Sequence, residues 1–366
     1  MTKKEVQIST LDLQDSASLM PAIKDIMMEN SSHNHEAFDY KFWNWKYRTL
    51  PEQRSHVSVG KDENNNILSY YHSVCFLGKY NGQKVPYASI QDVAVSNQLR
   101  GQGFFAKISA FANKHIDDEQ IKISYIFPNH RSIHTYLKYD KYTFVNDLKA
   151  YILPLNISQL IRSKVKLGGI ENIFGKLFDW FCNALSIFSF LPRKYKIERQ
   201  ESITENILDV FEKYSHSFEY GLIKNKTYLD WRFIQKPYQK NHIFTISDDK
   251  GNTKAVAILK EDEIKGIPCL LLMDFAYTLD GGDAFFLKLL SSLRNNHQKY
   301  FGGRIGLIFT SLNAQIENKF FKIGFLRMPQ KINPRPLNLL IRCNVDDSEL
   351  YKKEKWNVTL CDWDVF

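Results

Sequence analysis

A chain of 366 residues is too long for one ordinary core, so two domains are expected. An apolar content of 44% and a charged content of 24% are those of a soluble globular protein, and five widely spaced cysteines without a CxxC pair exclude a zinc ribbon and a disulfide framework. The net charge of +9 raises nucleic acid or anionic lipid as partners, but over half of it falls in residues 156–200, where eight basic residues face three acidic ones.

The start leads into no apolar run, so no signal peptide is expected and a cytoplasmic location fits. Residues 6–50 read as a strand and two helices. Leu19, Ile23, Ile26 and Met27 mark the first helix, and Phe42 to Tyr47 lies in the second, which Pro51 ends. The Trp43 and Trp45 cluster reads as core. Val57–Gly60 and Ile67–Phe76 read as strands joined by the polar hairpin 61–66, and Asn81-Gly82 as a second hairpin turn. A strand at Ile90 and a helix from Gly103 to about His115 follow. Ile121–Phe127 is then a strand, Asn129–Lys138 a helix, and Tyr142–Leu153 closing strands.

Much of this order returns about 186 residues later. Trp45, Lys46, Tyr47, Pro51 and His56 match Trp231, Arg232, Phe233, Pro237 and His242 at one offset of 186. Asp92-Val93-Ala94 matches Asp274-Phe275-Ala276 at 182, Phe104-Phe105 and Lys107 match Phe285-Phe286 and Lys288 at 181, and Asn129 and Lys138 match Asn313 and Lys322 at 184. An ordered series with small drifts is what loop insertions in a duplicated fold produce. The expected division is 1–155, a basic apolar linker 156–200, and 201–366. Within the linker, Ile173–Leu191 is rich in Phe, Leu and Ile but broken by Lys176, Asp179 and Asn183, which argues against a transmembrane span. It reads as a helix packed between the lobes, with an interfacial membrane helix as the alternative.

The chemistry concentrates in Ile90–Ile108. A buried strand holding one charge, Asp92, leads through a polar turn into Arg100-Gly101-Gln102-Gly103-Phe104-Phe105 and a helix. Free N–H groups at the helix start, which the glycines let an anion approach, make a nest suited to a pyrophosphate. The dinucleotide GxGxxG pattern and the Walker loop are both excluded, because the third glycine and the Gly-Lys-Ser/Thr are missing.

Arg100-x-x-Gly103 resembles the acetyl-CoA loop of the GNAT superfamily of N-acetyltransferases, with Phe105 at a position where a small residue is usual. Asn129-x-x-Ser132-x-x-x-Tyr136-x-Lys138 is similar to a second signature of that superfamily, with Asp140 where glycine often follows. The resemblance implies an α/β (mixed α+β) fold: two tandem GNAT-like domains, each a mixed, mostly antiparallel twisted sheet flanked by helices. It implies acetyl-CoA as acyl donor, held by Arg100, Gly101, Gln102, Gly103, Phe104 and Phe105. Val93, Ala94 and Val95 would pair with the pantetheine arm, and Asn129 and Ser132 would lie beside it.

Acetyl transfer to an amine requires a deprotonated amine, a polarised thioester carbonyl and a protonated leaving thiolate. Tyr136 fits the last role, since a phenol near pKa 10 can supply a proton. Asp92 is the candidate base, with a structural role as the alternative because Asp274 recurs at the same place; an apolar strand would raise its pKa. His56 meets the same objection from His242, and His72 is a further alternative. His130 and His134 stand one helical turn apart without a third ligand, so no metal is expected. In the second copy Gly281-Gly282-Asp283-Ala284 replaces the loop and Phe320 replaces Tyr136, so that copy reads as degenerate.

The expected function is acetyl-CoA-dependent N-acetyl transfer to a small molecule bearing an amine, with an amino sugar of surface-polysaccharide biosynthesis as one acceptor. Alternatives are a tRNA-dependent aminoacyl transferase of paired lobes and a non-catalytic CoA-binding protein. An intact CoA-type loop argues against the former and both signatures against the latter. Peripheral membrane contact would run through 173–191, and the sequence leaves the oligomeric state open.

Overall fold

The computed structural model describes residues 5–11, 20–30, 39–52, 54–155, 194–264, 266–302, 305–312, 317–329, 331, 333 and 336–363. The apolar stretch Ile173–Leu191, most of the basic linker, and Asn313 lie outside the described residues. Among those described, no helix is long and apolar enough to cross a membrane.

The first half supplies β1 (Gln7–Leu11), α1 (Met20–Asn30), α2 (Tyr40–Arg48), β2 (Ser55–Lys61), β3 (Ile67–Tyr80), β4 (Gln83–Val95), α3 (Phe104–Asp118), β5 (Ile123–Ile126), α4 (Ile133–Tyr139), β6 (Thr143–Asp147) and β7 (Lys149–Pro154). The second half supplies β8 (Lys196–Gln200), helix Glu205–Ser215, β9 (Tyr220–Leu222), β10 (Asn241–Ser247), β11 (Thr253–Ile264), β12 (Ile267–Tyr277), helix Gly282–Asn295, β13 (Leu307–Leu312), β14 (Leu326–Arg327), β15 (Asn338–Cys343) and β16 (Trp356–Asn357). Local chemistry explains several boundaries. Asp39 caps α2 by accepting from Phe42 N at 2.7 Å, and Lys46 and Arg48 sit in its last turn, where cations suit the helix dipole. Phe104, Ile108, Ala112 and Ile116 recur every four residues along α3 and form its buried stripe.

The described strands form two mixed sheets, each flanked by helices. One runs β1-β2-β3-β4-β5-β15-β6 with β9 and β16 at the side, and the other runs β14-β7-β13-β12-β11-β10-β8. Most pairings are antiparallel; β4·β5, β12·β13 and the short β16·β9 are parallel. The duplication is visible in register. Tyr87 pairs with Ile123 and Cys269 with Leu307, at the 182 and 184 offsets of the sequence matches. A bulge interrupts β3·β4 between Tyr71 and Ser73 and β11·β12 between Ile258 and Leu259, the same place in each sheet. His56 faces Ser73, and His242 faces Leu259 at the 186 offset.

The halves are joined at their matched tryptophans. Trp45 and Trp231 stack with centroids 4.7 Å apart, and each indole donates to the other's backbone carbonyl, at 2.8 and 3.0 Å. The relation of Tyr142–Leu153 to the first sheet differs from a simple closure. β6 reaches that sheet only through β15, and β7 lies in the other sheet between β13 and β14. Each sheet thus contains a strand from the opposite half. Strand periodicity encodes which face is buried, not which neighbour it finds, so this exchange left no mark in the pattern.

Candidate functional site

The β4·β5 pairing ends at Ser89 and Tyr125, while β4 continues to Val95 alongside β3. Ile90–Val95 therefore runs on beyond the reach of β5, and the sheet parts at this point. Val93 and Val95 pack on the face covered by α3 and α4, and Ala94 packs on the face covered by α1. Such a gap exposes main-chain groups of a central strand, which a bound extended chain can use in place of the missing neighbour.

A short turn links the end of β4 to α3. Ser96 caps the one-turn helix Asn97–Leu99, and the Glu29 carboxylate accepts from Asn97 N at 2.7 Å and Ser96 Oγ at 3.1 Å. The end of α1 thereby fixes the loop, a contact that the sequence reading did not include. Arg100, Gly101, Gln102 and Gly103 are exposed; Phe104 is buried and Phe105 half-buried. Gly101 and Gly103 have φ of +75° and +69°, and a Cβ at either would meet nothing within 4 Å. Left-handed backbone beside open space at the start of a fifteen-residue helix is a cradle that fits a phosphate. The residues thus suit the pyrophosphate of a CoA-type donor.

The second half differs here. Its helix begins at Gly282, where a Cβ would lie 2.7 Å from the Lys254 carbonyl oxygen, and Asp283 pairs with Lys319. Gly281, which caps that helix, keeps a left-handed φ of +80° beside open space as Gly103 does, so the halves differ in the crowded Gly282 and the acidic Asp283.

Tyr136 is 3% exposed and packs edge-on against Phe105 at 5.2 Å and Tyr142 at 5.7 Å. Phe105, at the position where a small residue was the expectation, therefore ties the start of α3 to α4. Asn129 Oδ1 accepts from Arg131 N at 2.9 Å and Ser132 N at 3.0 Å, and the Ser132 hydroxyl donates back to Asn129. These two residues build the turn into α4.

Asp92 is reached from the other face, where Lys46 Nζ lies 2.9 Å from its Oδ2. The carboxylate is thus ion-paired, rather than isolated in apolar surroundings. Lys46 is a residue that the sequence reading missed as a partner. A signal existed, because Lys46 recurs as Arg232 and Asp92 as Asp274. The second pair has separated: Asp274 is buried with Lys224 at 3.5 Å and Cys361 Sγ at 3.1 Å, and Arg232 donates to the Trp363 carbonyl at 2.5 Å. Burial raises the Asp274 pKa, against the pull of Lys224.

His72 is fully buried. Its Nδ1 is 2.6 Å from the Tyr70 hydroxyl, its Nε2 bonds the Ser55 hydroxyl, and Tyr47 stacks on the ring at 3.9 Å. Desolvation drives its pKa well below the usual value, so the ring is a neutral member of the core. His56 lies instead beside His115 and Glu119. The structure therefore brings β4, the glycine turn and Tyr136 together on one side of the sheet, with Asp92 on the other.

Residues 20–145 match the profile of an acetyltransferase (GNAT) domain. No curated protein matches the chain by sequence. Among solved structures, Saccharomyces cerevisiae N-myristoyltransferase with bound myristoyl-CoA is similar over 98% of this chain and 92% of its own, at 13% identity and TM-score 0.60. A protein of unknown function from Enterococcus faecalis, described as a probable N-acyltransferase, is similar over 93% of this chain and 73% of its own, at 14% identity and TM-score 0.59. A GCN5-related N-acetyltransferase from Anabaena variabilis is similar over the same shares, at 11% identity and TM-score 0.58. The fold is GNAT-like, in two tandem sheet-and-helix lobes.

Proposed function

We propose that the chain is an acyl-CoA-dependent acyltransferase that acylates an amine, with its donor site in the first lobe. One observation carries the reading: the parting of β4 from β5 opens beside a left-handed, unobstructed Gly101–Gly103 turn at the start of α3. The match of 20–145 to an acetyltransferase domain supports it. In this reading Arg100 and the N–H groups of 101–105 hold the pyrophosphate, and Val93–Val95 line the pantetheine arm with Asn129 and Ser132 nearby. Tyr136 supplies a proton to the departing thiolate from one face of the sheet, and Asp92, ion-paired with Lys46, takes one, directly or through water, from an amine that reaches the parted strands from the other face. The second lobe is degenerate as a donor site and shapes the acceptor side. Residues 1–155, 156–200 and 201–366 serve as catalytic half, linker and supporting half.

Acetyl is the donor group that the two signatures favour, and an amino sugar is one candidate acceptor. A longer acyl chain is a second reading, favoured by the near end-to-end similarity to a structure holding myristoyl-CoA. Release of free CoA thiol from acetyl-CoA and myristoyl-CoA, against nucleotide-linked amino sugars and other amines, tests both. Acceptor-dependent release is the expected result, and none with either donor would overturn the proposal. Calorimetry is expected to give one donor per chain; two would mean that the second lobe also binds.

A further inference from the structure

We propose that His56, His115 and Glu119 form a binding site for a divalent transition metal, with zinc the best fit to the donor set. Their ligand atoms lie within 4.8 Å of one another. Glu119 Oε1 is 3.3 Å from His56 Nδ1 and 3.3 Å from His115 Nε2. Ligands about 2.0–2.1 Å from a tetrahedral zinc are separated by roughly 3.3 Å, so both distances already equal a tetrahedron's edge. Two imidazoles and one carboxylate are among zinc's commonest protein ligands.

The fold explains why these groups converge. His115 and Glu119 are one turn apart at the end of α3 and project to the same side. β2 brings His56 to them. Partners behind the ligands set their orientation, as occurs at metal centres. His56 Nε2 faces the Cys75 thiol at 3.7 Å, which turns Nδ1 toward Glu119. Arg54 holds the other Glu119 oxygen, leaving Oε1 for the metal. Side-chain exposures of 38% for His115 and 28% for Glu119 leave room for water as a fourth ligand. At the 181 offset, Asn296 and Tyr300 stand where His115 and Glu119 are, so the set is particular to the first lobe. The site is at the far end of α3 from Gly103, and a bound metal would clip that end of the helix to β2. Sequence alone pointed away from a metal because His130 and His134 lack a third ligand, and nothing in it placed His56 beside α3.

The test is zinc titration of the full chain after chelator treatment, with cobalt absorption as a report of geometry. One equivalent per chain, a rise in Tm and a tetrahedral cobalt spectrum are expected. His56→Gln, His115→Gln and Glu119→Gln should each lower zinc affinity more than about 100-fold, beyond the effect of changing an outer partner. His115 is half-exposed, so His115→Gln tests the site even if His56→Gln folds poorly. His130→Gln with His134→Gln should leave binding intact. No uptake at equimolar zinc, or uptake that survives His115→Gln, would overturn the proposal.

Discussion

Removing one hydroxyl from Tyr136 separates chemistry from binding. Tyr136→Phe keeps the ring against Phe105 and Tyr142. If the phenol protonates the thiolate, kcat should fall by roughly 10²-fold while KM for the acyl-CoA stays nearly constant. An unchanged kcat would remove Tyr136 from the chemistry. Gly103→Asn should do the opposite. Asparagine tolerates the left-handed backbone, so the loop survives, but the side chain enters the open space in which the proposed reading seats the phosphate. KM for the donor should rise far more than kcat falls.

Asp140 offers a second test at this scale, through pH. Burial raises its pKa to about 6 against the opposing effects of Ser109 and Arg342. Below about pH 4 the group is protonated both folded and unfolded. Above that the unfolded chain releases the proton first, so stability falls as pH rises toward 6 and stays lower beyond it. The cost of charging it in the fold at neutral pH is about 3 kcal/mol. Asp140→Asn should therefore raise Tm at pH 7.5 and lose that gain near pH 4. Equal gains at both pH values would show that the carboxylate is not what costs stability.

At the scale of elements, the paired tryptophans test how the lobes are joined. Trp231→Ala deletes a stacked ring and the donor to the Trp45 carbonyl, and should cost about 3–5 kcal/mol in urea unfolding. Trp45→Phe and Trp231→Phe keep an aromatic ring but lose one hydrogen bond each. Their double-mutant cycle should show coupling of about 1 kcal/mol or more, and strict additivity would refute a shared contact.

The duplication that places these residues was legible in the sequence, because Trp45, His56 and Asp92 each kept a counterpart. The glycine turn was legible because few residues tolerate its backbone. Lys46 beside Asp92 and Glu29 beneath the loop were not, since both contacts join residues more than forty positions apart. Apolar periodicity carries no information about such polar pairings. The pairing of β7 and β15 across the halves was hidden for the same reason. Both strands are short apolar runs with consecutive buried residues, as any interior strand can be, and only the tertiary fold selects their neighbours.

That exchange sets an expectation for the whole molecule. β15 lies between β5 and β6, and β7 between β13 and β14, so neither sheet is complete without chain from the other half. β9 adds to the same dependence by pairing with β3 at Gly78 and Lys79. Unfolding either half alone would strip an interior strand from the other sheet and leave its hydrogen-bonding groups without partners, a loss of many contacts at once. The two lobes should therefore unfold as one cooperative unit, although each resembles a domain in outline. Scanning calorimetry is expected to show a single transition with the calorimetric enthalpy equal to the van't Hoff value. Residues 1–155 expressed alone should fail to give the folded first sheet, and co-expression with 201–366 should restore it. Two well-separated transitions, or a stable, cooperatively folded 1–155 fragment, would show that the exchanged strands contribute little to holding the lobes together.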